Sequence, residues 1–147
     1  MMYEDLVRDF AARTIDNYKR ISDEPYEVTQ LINSAVGLLV IPQQKHYNKI
    51  SDKLVSEELL DKMKQCVESN SYKKALNLQQ IARHLRNSIA HARMSFKGRE
   101  KGTGKKEIES VVFEDENEYS GEYVRMNIPV EVLREFFLAF ADAVSVK

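Results

Sequence analysis

The chain is poor in the residues that make staples, linkers and membrane anchors. It holds 1 Cys, 3 Pro and 5 Gly in 147 residues. The lone Cys66 cannot close an internal disulfide, and with Met63 and Val67 beside it on a helical stripe it reads as a core residue rather than a nucleophile. So little Pro and Gly leaves no room for long flexible linkers, and residues 1–147 suffice for one hydrophobic core but not two, which predicts a single domain. No run of about 18 apolar residues is present, so no membrane-spanning helix is expected. The start, Met1-Met2-Tyr3-Glu4-Asp5, is acidic where a signal peptide would be basic and then apolar. The expected location is therefore cytoplasmic. Acidic residues are missing altogether between Ile81 and Lys97, so that segment lacks the carboxylates of a metal site. His84 and His91 within it stand two helical turns apart, about 10 Å along the axis, too far to chelate one ion. No metal and no cofactor are expected.

Charge is nearly balanced, at −1 overall, which argues against a general nucleic-acid coat protein. The balance hides a segregation. From Arg83 to Lys106 the chain carries Arg83, Arg86, Arg93, Lys97, Arg99, Lys101, Lys105 and Lys106 against Glu100 alone, and from Glu107 to Glu122 the sign reverses. A basic strip suits a phosphate-bearing ligand, although a solvated loop would carry the same charge. The Gly98–Gly104 stretch within it is no phosphate loop, because a strand should precede it and a Lys-Ser or Lys-Thr opening a helix should follow.

Apolar periodicity lays out the elements. An amphipathic helix is expected from about Tyr3 to Ile21, with Leu6, Phe10, Tyr18 and Ile21 on one stripe. A second, apolar around most of its girth, is expected from about Tyr26 to Ile41 and stops at Pro42. A third should start after the N-cap Ser56, with Glu57 and Glu58 favouring its positive end, and run to about Val67. Asn77 and Gln80 make a capping box for a fourth, expected to reach Arg93 or Ser95. Ile108–Phe113 and Tyr123–Ile128 have the β-branched and aromatic density of a hairpin turning at Ser120-Gly121. A fifth helix should start at Pro129 and carry Leu133, Phe136, Phe137 and Phe140 inward. The pattern predicts an all-α fold, an antiparallel helical bundle of about five helices with a small β-hairpin before the last helix.

The fourth helix carries the chemistry. With Leu85 set at zero and about 100° per residue, Leu78, Ile81, Ala82, Ile89 and Ala92 fall within about 60° of it and form the core face. Arg83, Asn87 and His91 lie near 160°, 200° and 240°, roughly opposite, with Arg86 near 100° at the border. His91 should thus point away from its own core. Arg86 and His91 are about 140° apart, so one copy does not converge both on one atom, whereas a two-fold-related copy could. The small Ala90 would let such a partner helix approach.

Arg86-Asn87-Ser88-Ile89-Ala90-His91 resembles the R-x4-6-H signature of the HEPN superfamily, in which a polar residue often follows the Arg. The stretch Leu31–Pro42 is also similar to the second helix of one HEPN subgroup, a Leu-rich segment ending at Pro. The resemblance implies a homodimer whose paired motif helices line a cleft, acting in many members as a metal-independent RNase. On that reading His91 is the general base or acid, Arg86 the clamp on phosphate and transition state, and Asn87 an orienting group. Arg83, His84, Arg93 and Lys97 would bind substrate. The implied partners are RNA, a second copy of the chain and a neutralising antitoxin or regulatory protein, with a toxin or defence role and no membrane. Ala92-Arg93 stand where HEPN toxins controlled by a nucleotidyltransferase carry a Tyr two residues after the His, so that control is not expected here. The rival reading is a HEPN-like accessory module that binds a nucleotide, RNA or protein without cleaving anything.

Overall fold

A computed structural model describes residues 12–20, 27–35, 52–100 and 106–145. Among these, helices α1 (12–20), α2 (Glu27–Ala35), α3 (Glu57–Gln65), α4 (Leu78–Ala90) and α5 (Val130–Ser145) accompany strands β1 (Val67–Asn70), β2 (Met94–Glu100), β3 (Lys106–Glu116) and β4 (Tyr123–Pro129). The strands form one antiparallel sheet in the order β1-β4-β3-β2. The fold is therefore mixed α/β, and the all-α bundle with only a small hairpin is wrong. The hairpin read from the sequence is the centre of the sheet, β3 with β4. What escaped the periodicity are the two edges. β2 is written Met-Ser-Phe-Lys-Gly-Arg-Glu, an edge strand whose apolar alternation, Met94 and Phe96, is too short to mark a strand before Lys97-Gly98-Arg99-Glu100 breaks it. Its ladder with β3 nevertheless runs from Met94↔Phe113 to Glu100↔Lys106. β1 is four residues long, and its Val67 belongs equally well to the apolar stripe of α3.

The helices that are locally encoded start as the sequence says. Leu59 N donates to Ser56 Oγ at 3.1 Å, one of the orphan amides of the first turn of α3. In α4 the Gln80 amide donates to Asn77 Oδ1 at 2.8 Å while the Asn77 amide donates to Gln80 Oε1 at 3.0 Å, which completes the box. A further amide, of Leu78, donates to Asp52 Oδ1 at 2.8 Å in the 3₁₀ turn Asp52–Leu54. Residues 12–20 of the expected first helix and 27–35 of the second are helical; residues 3–11 and 21 of the first, 36–42 of the second, His46 and the glycine-rich segment 101–105 lie outside the described residues.

Sheet alternation sets the core. Val111↔Ile128 and Phe113↔Met126 pair on one face, and both pairs are buried with Leu78, Ile81 and Leu85 of α4 and Leu133, Phe136 and Phe140 of α5. The intervening Glu114↔Arg125 pair lies on the opposite face, where Arg125 bridges Glu114 and Glu68, its Nε 3.0 Å from Glu68 Oε2. That bridge holds the Glu68 carboxyl below the usual carboxylate range. Cys66 is half-buried beside the core, and burial pushes its thiol pKa up, away from thiolate chemistry. No described helix is long and apolar enough to cross a membrane.

Candidate functional site

Helix α4 ends at Ala90, earlier than its apolar pattern suggests, and His91 is its C-cap. Arg93 N donates to Ser88 O at 2.8 Å and Ala92 N to Ile89 O at 3.1 Å, the two bonds of a Schellman turn. Such a turn puts its penultimate residue in the left-handed region, and Ala92 has φ 53° where glycine is usual. A Cβ there is unfavourable by roughly 1–2 kcal/mol, offset in part by the extra freedom glycine loses on folding. Ala92→Gly is expected to raise stability by about 0.5–1 kcal/mol, read as a higher urea midpoint at unchanged slope. The turn matters because it swings His91 and Arg93 out of the helix and leads the chain directly into β2.

One helical turn back, α4 faces β3 through a buried polar network. His84 is 2% exposed and Asp115 7%. Asp115 Oδ2 lies 2.7 Å from His84 Nδ1 and accepts from Asn87 Nδ2 at 3.1 Å. On the other side of the imidazole, Nε2 stands 2.7 Å from the Tyr72 hydroxyl. Arg83 Nη2 donates to that hydroxyl at 3.0 Å and to Glu122 Oε2 at 3.2 Å. Ser88 Oγ donates to the carbonyls of His84, at 2.8 Å, and Glu114, at 2.9 Å, which ties the helix to the strand.

Burial drives the His84 imidazole pKa below its ordinary value, and the hydrogen bond and charge of Asp115 oppose that shift without cancelling it. The native state therefore binds this proton less readily than the unfolded chain. Its contribution to stability is complete above about pH 6.5 and is lost as pH falls through the depressed native pKa. Urea midpoints should decline on acidification from about pH 7.5 to about 5, and His84→Gln should flatten the part of that decline below about pH 6.5. Burial likewise raises the Tyr72 phenol pKa, with Arg83 and Glu122 pulling in opposite directions, so the phenol stays protonated.

Around this network opens a polar pocket of about 390 Å³. Arg83, His84, Asn87, His91 and Arg93 line one wall; Asp115, Glu116, Asn117, Glu118, Tyr119 and Glu122 line the other. The face at i, i+4 and i+8 of the fourth helix is thus gathered in one place, with His91 and Arg93 exposed and Asn87 half-buried. Arg93 Nη1 also donates to Glu116 O at 3.3 Å. Two expected site residues stand elsewhere. Arg86 is half-buried on the adjoining flank of the helix and does not line the pocket. Lys97 sits in β2 opposite Ser110, where its charge acts on Glu68 of the outer sheet face. Asn87 turns its amide to Asp115, so the link to His91 runs through the backbone, His91 N donating to Asn87 O at 3.0 Å.

The family model described as HEPN pEK499 p136 matches residues 1–147. The chain belongs to the HEPN superfamily. No curated protein and no solved structure matches it. In this HEPN chain the R-x4-6-H segment is α4 and its cap, and the sheet supplies the other half of the pocket. Asp115, Tyr72 and Glu122 were missed in the sequence. One of them had a signal. Asp115 follows Val111 and Phe113 at the strand period, so it had to face inward, and a carboxylate facing inward requires a partner. Tyr72 and Glu122 lie in connecting segments with no such period. Among the described residues, no three His, Cys, Asp or Glu side chains converge as metal ligands.

Proposed function

We propose that this HEPN domain is a metal-independent endoribonuclease that acts as a homodimer on RNA, in the cell as a toxin or defence effector held by a neutralising partner protein. The observation that supports it is His91, an exposed imidazole at a helix end, sharing a nucleotide-sized pocket with Arg83, Asn87 and Arg93. Cleavage needs a base for the 2′-hydroxyl. His91 takes that proton, O2′ forms its bond to phosphorus, the bond from phosphorus to O5′ breaks, and the leaving oxygen takes a proton from water. Arg86, which does not line the pocket of its own protomer, would enter that of the other copy and hold the phosphoryl oxygens as charge builds on them. The test is purified protein incubated with end-labelled RNA in EDTA. Fragments ending in a 2′,3′-cyclic phosphate or 3′-phosphate, opposite a 5′-hydroxyl, are expected.

One observation favours the other reading, a HEPN-like module that binds without cleaving. Four carboxylates share the pocket, and Arg83 is already paired with one of them, Glu122, at 3.2 Å. RNA left intact under EDTA and under added magnesium alike would decide for that module.

A further inference from the structure

The carboxylate wall has a use of its own. Two of its acids are consumed internally, Asp115 by His84 and Asn87, and Glu122 by Arg83 and Tyr72. Glu116 and Glu118 are exposed, and neither side chain has a hydrogen bond or ion pair among the described residues. Between them and Glu122 stands Tyr119, whose ring is fully exposed at 101%. The turn that presents it is built from its own polar groups. Asn117 Oδ1 accepts from the amides of Tyr119 at 2.9 Å and Ser120 at 3.2 Å, Gly121 N donates to Asn117 O at 2.8 Å, and Gly121 takes φ 75°. An exposed aromatic on a hydrogen-bonded turn, rather than a mobile tip, is a stacking platform for an unpaired base.

We infer that the β3–β4 turn reads the base of the bound nucleotide and selects guanine, an inference that rests on the RNA reading of this same pocket. Arg93 and His91, on the opposite wall, suit the phosphate end of a nucleotide, which leaves the base toward the turn. There Glu116 and Glu118 offer free carboxylates, which only accept, and Asn117, whose Oδ1 is spent within the turn, offers its Nδ2 as a donor that suits the guanine O6 beside N1–H. Guanine alone sets two donors side by side on its Watson–Crick edge, N1–H and the N2 amino group, and a carboxylate takes both. Adenine and cytosine place a ring acceptor beside their single amino group, and uracil flanks its one N–H with two carbonyls. Each would set a lone pair against the carboxylate.

The test is a binding series with the full chain and 3′-GMP, 3′-AMP, 3′-CMP and 3′-UMP, followed by cleavage of an RNA of mixed sequence. 3′-GMP should bind roughly tenfold tighter than the other three, the scale of a charge-assisted hydrogen-bond pair. Tyr119→Ala should weaken all four by a similar factor, since stacking is indifferent to the base. Glu116→Gln combined with Glu118→Gln should erase the preference, weakening 3′-GMP while the other three bind as well or better because the lone-pair clash is relieved. Equal affinity for the four nucleotides, or a preference that survives the double substitution, overturns the base-reading turn. The two readings fail separately. A guanine preference with uncut RNA keeps the turn and removes the nuclease, and cutting at every base with equal nucleotide affinities does the reverse.

Discussion

Asp115→Ala is expected to lower the unfolding free energy by about 3 kcal/mol, a large loss for one polar side chain. The carboxylate is 7% exposed, and its Oδ2 is the acceptor for two groups on α4, His84 Nδ1 at 2.7 Å and Asn87 Nδ2 at 3.1 Å. Hydrogen bonds to a charged acceptor contribute about 1.5–3 kcal/mol, and the imidazole stranded at 2% exposure costs about 1–3 kcal/mol more, less whatever relaxation or entering water recovers. The conservative Asp115→Asn keeps an oxygen in place and removes only the charge, so a loss nearer 1 kcal/mol is expected. Urea unfolding of the two variants measures the difference. An alanine variant within 1 kcal/mol of the parent would mean that α4 is held on the sheet by Leu78, Ile81 and Leu85 alone, with the polar network a passenger.

The sequence was legible wherever a structure depends on neighbours along the chain. Ser56 and the Asn77–Gln80 box act within one helical turn, and each is where its residue types place it. The same is true of the face shared by Arg83, Asn87 and His91, because a 3.6-residue period needs no knowledge of the rest of the fold. Arg86, placed at the border of that face, does not line the pocket that His91 lines. Edge strands fail this test. β2 is a strand because β3 offers it a ladder from Met94 to Glu100, and nothing in Lys97-Gly98-Arg99 announces that partner. The end of α4 was overrun for a related reason: its stop is an alanine in the left-handed region, where a glycine would have marked it. The far wall of the pocket was invisible because Tyr72, Asp115 and Glu122 reach α4 only through the sheet and its turns. With the helix face alone, the site looked basic; with Asp115, Glu116, Glu118 and Glu122 opposite, it is amphoteric.

His91→Ala and Arg86→Ala should each abolish RNA cleavage by at least about a hundredfold, and mixing the two inactive variants should restore part of it. The recovery has a definite size. In a shared cleft each catalytic unit takes Arg86 from one protomer and His91 from the other, so a mixed dimer has one unit with both residues altered and one with both intact. Equal amounts at free exchange make about half of the dimers mixed, and half of the units in those are whole, which gives about a quarter of the parent activity. Initial rates on a fluorescent RNA in EDTA, after the variants are mixed and allowed to exchange, measure it. Circular dichroism of each variant keeps a folding defect from passing for a chemical one, a real concern for the half-buried Arg86 and a small one for the exposed His91. If the mixture stays dead although both variants are folded and dimeric, Arg86 and His91 must act from the same protomer and the cleft is not shared.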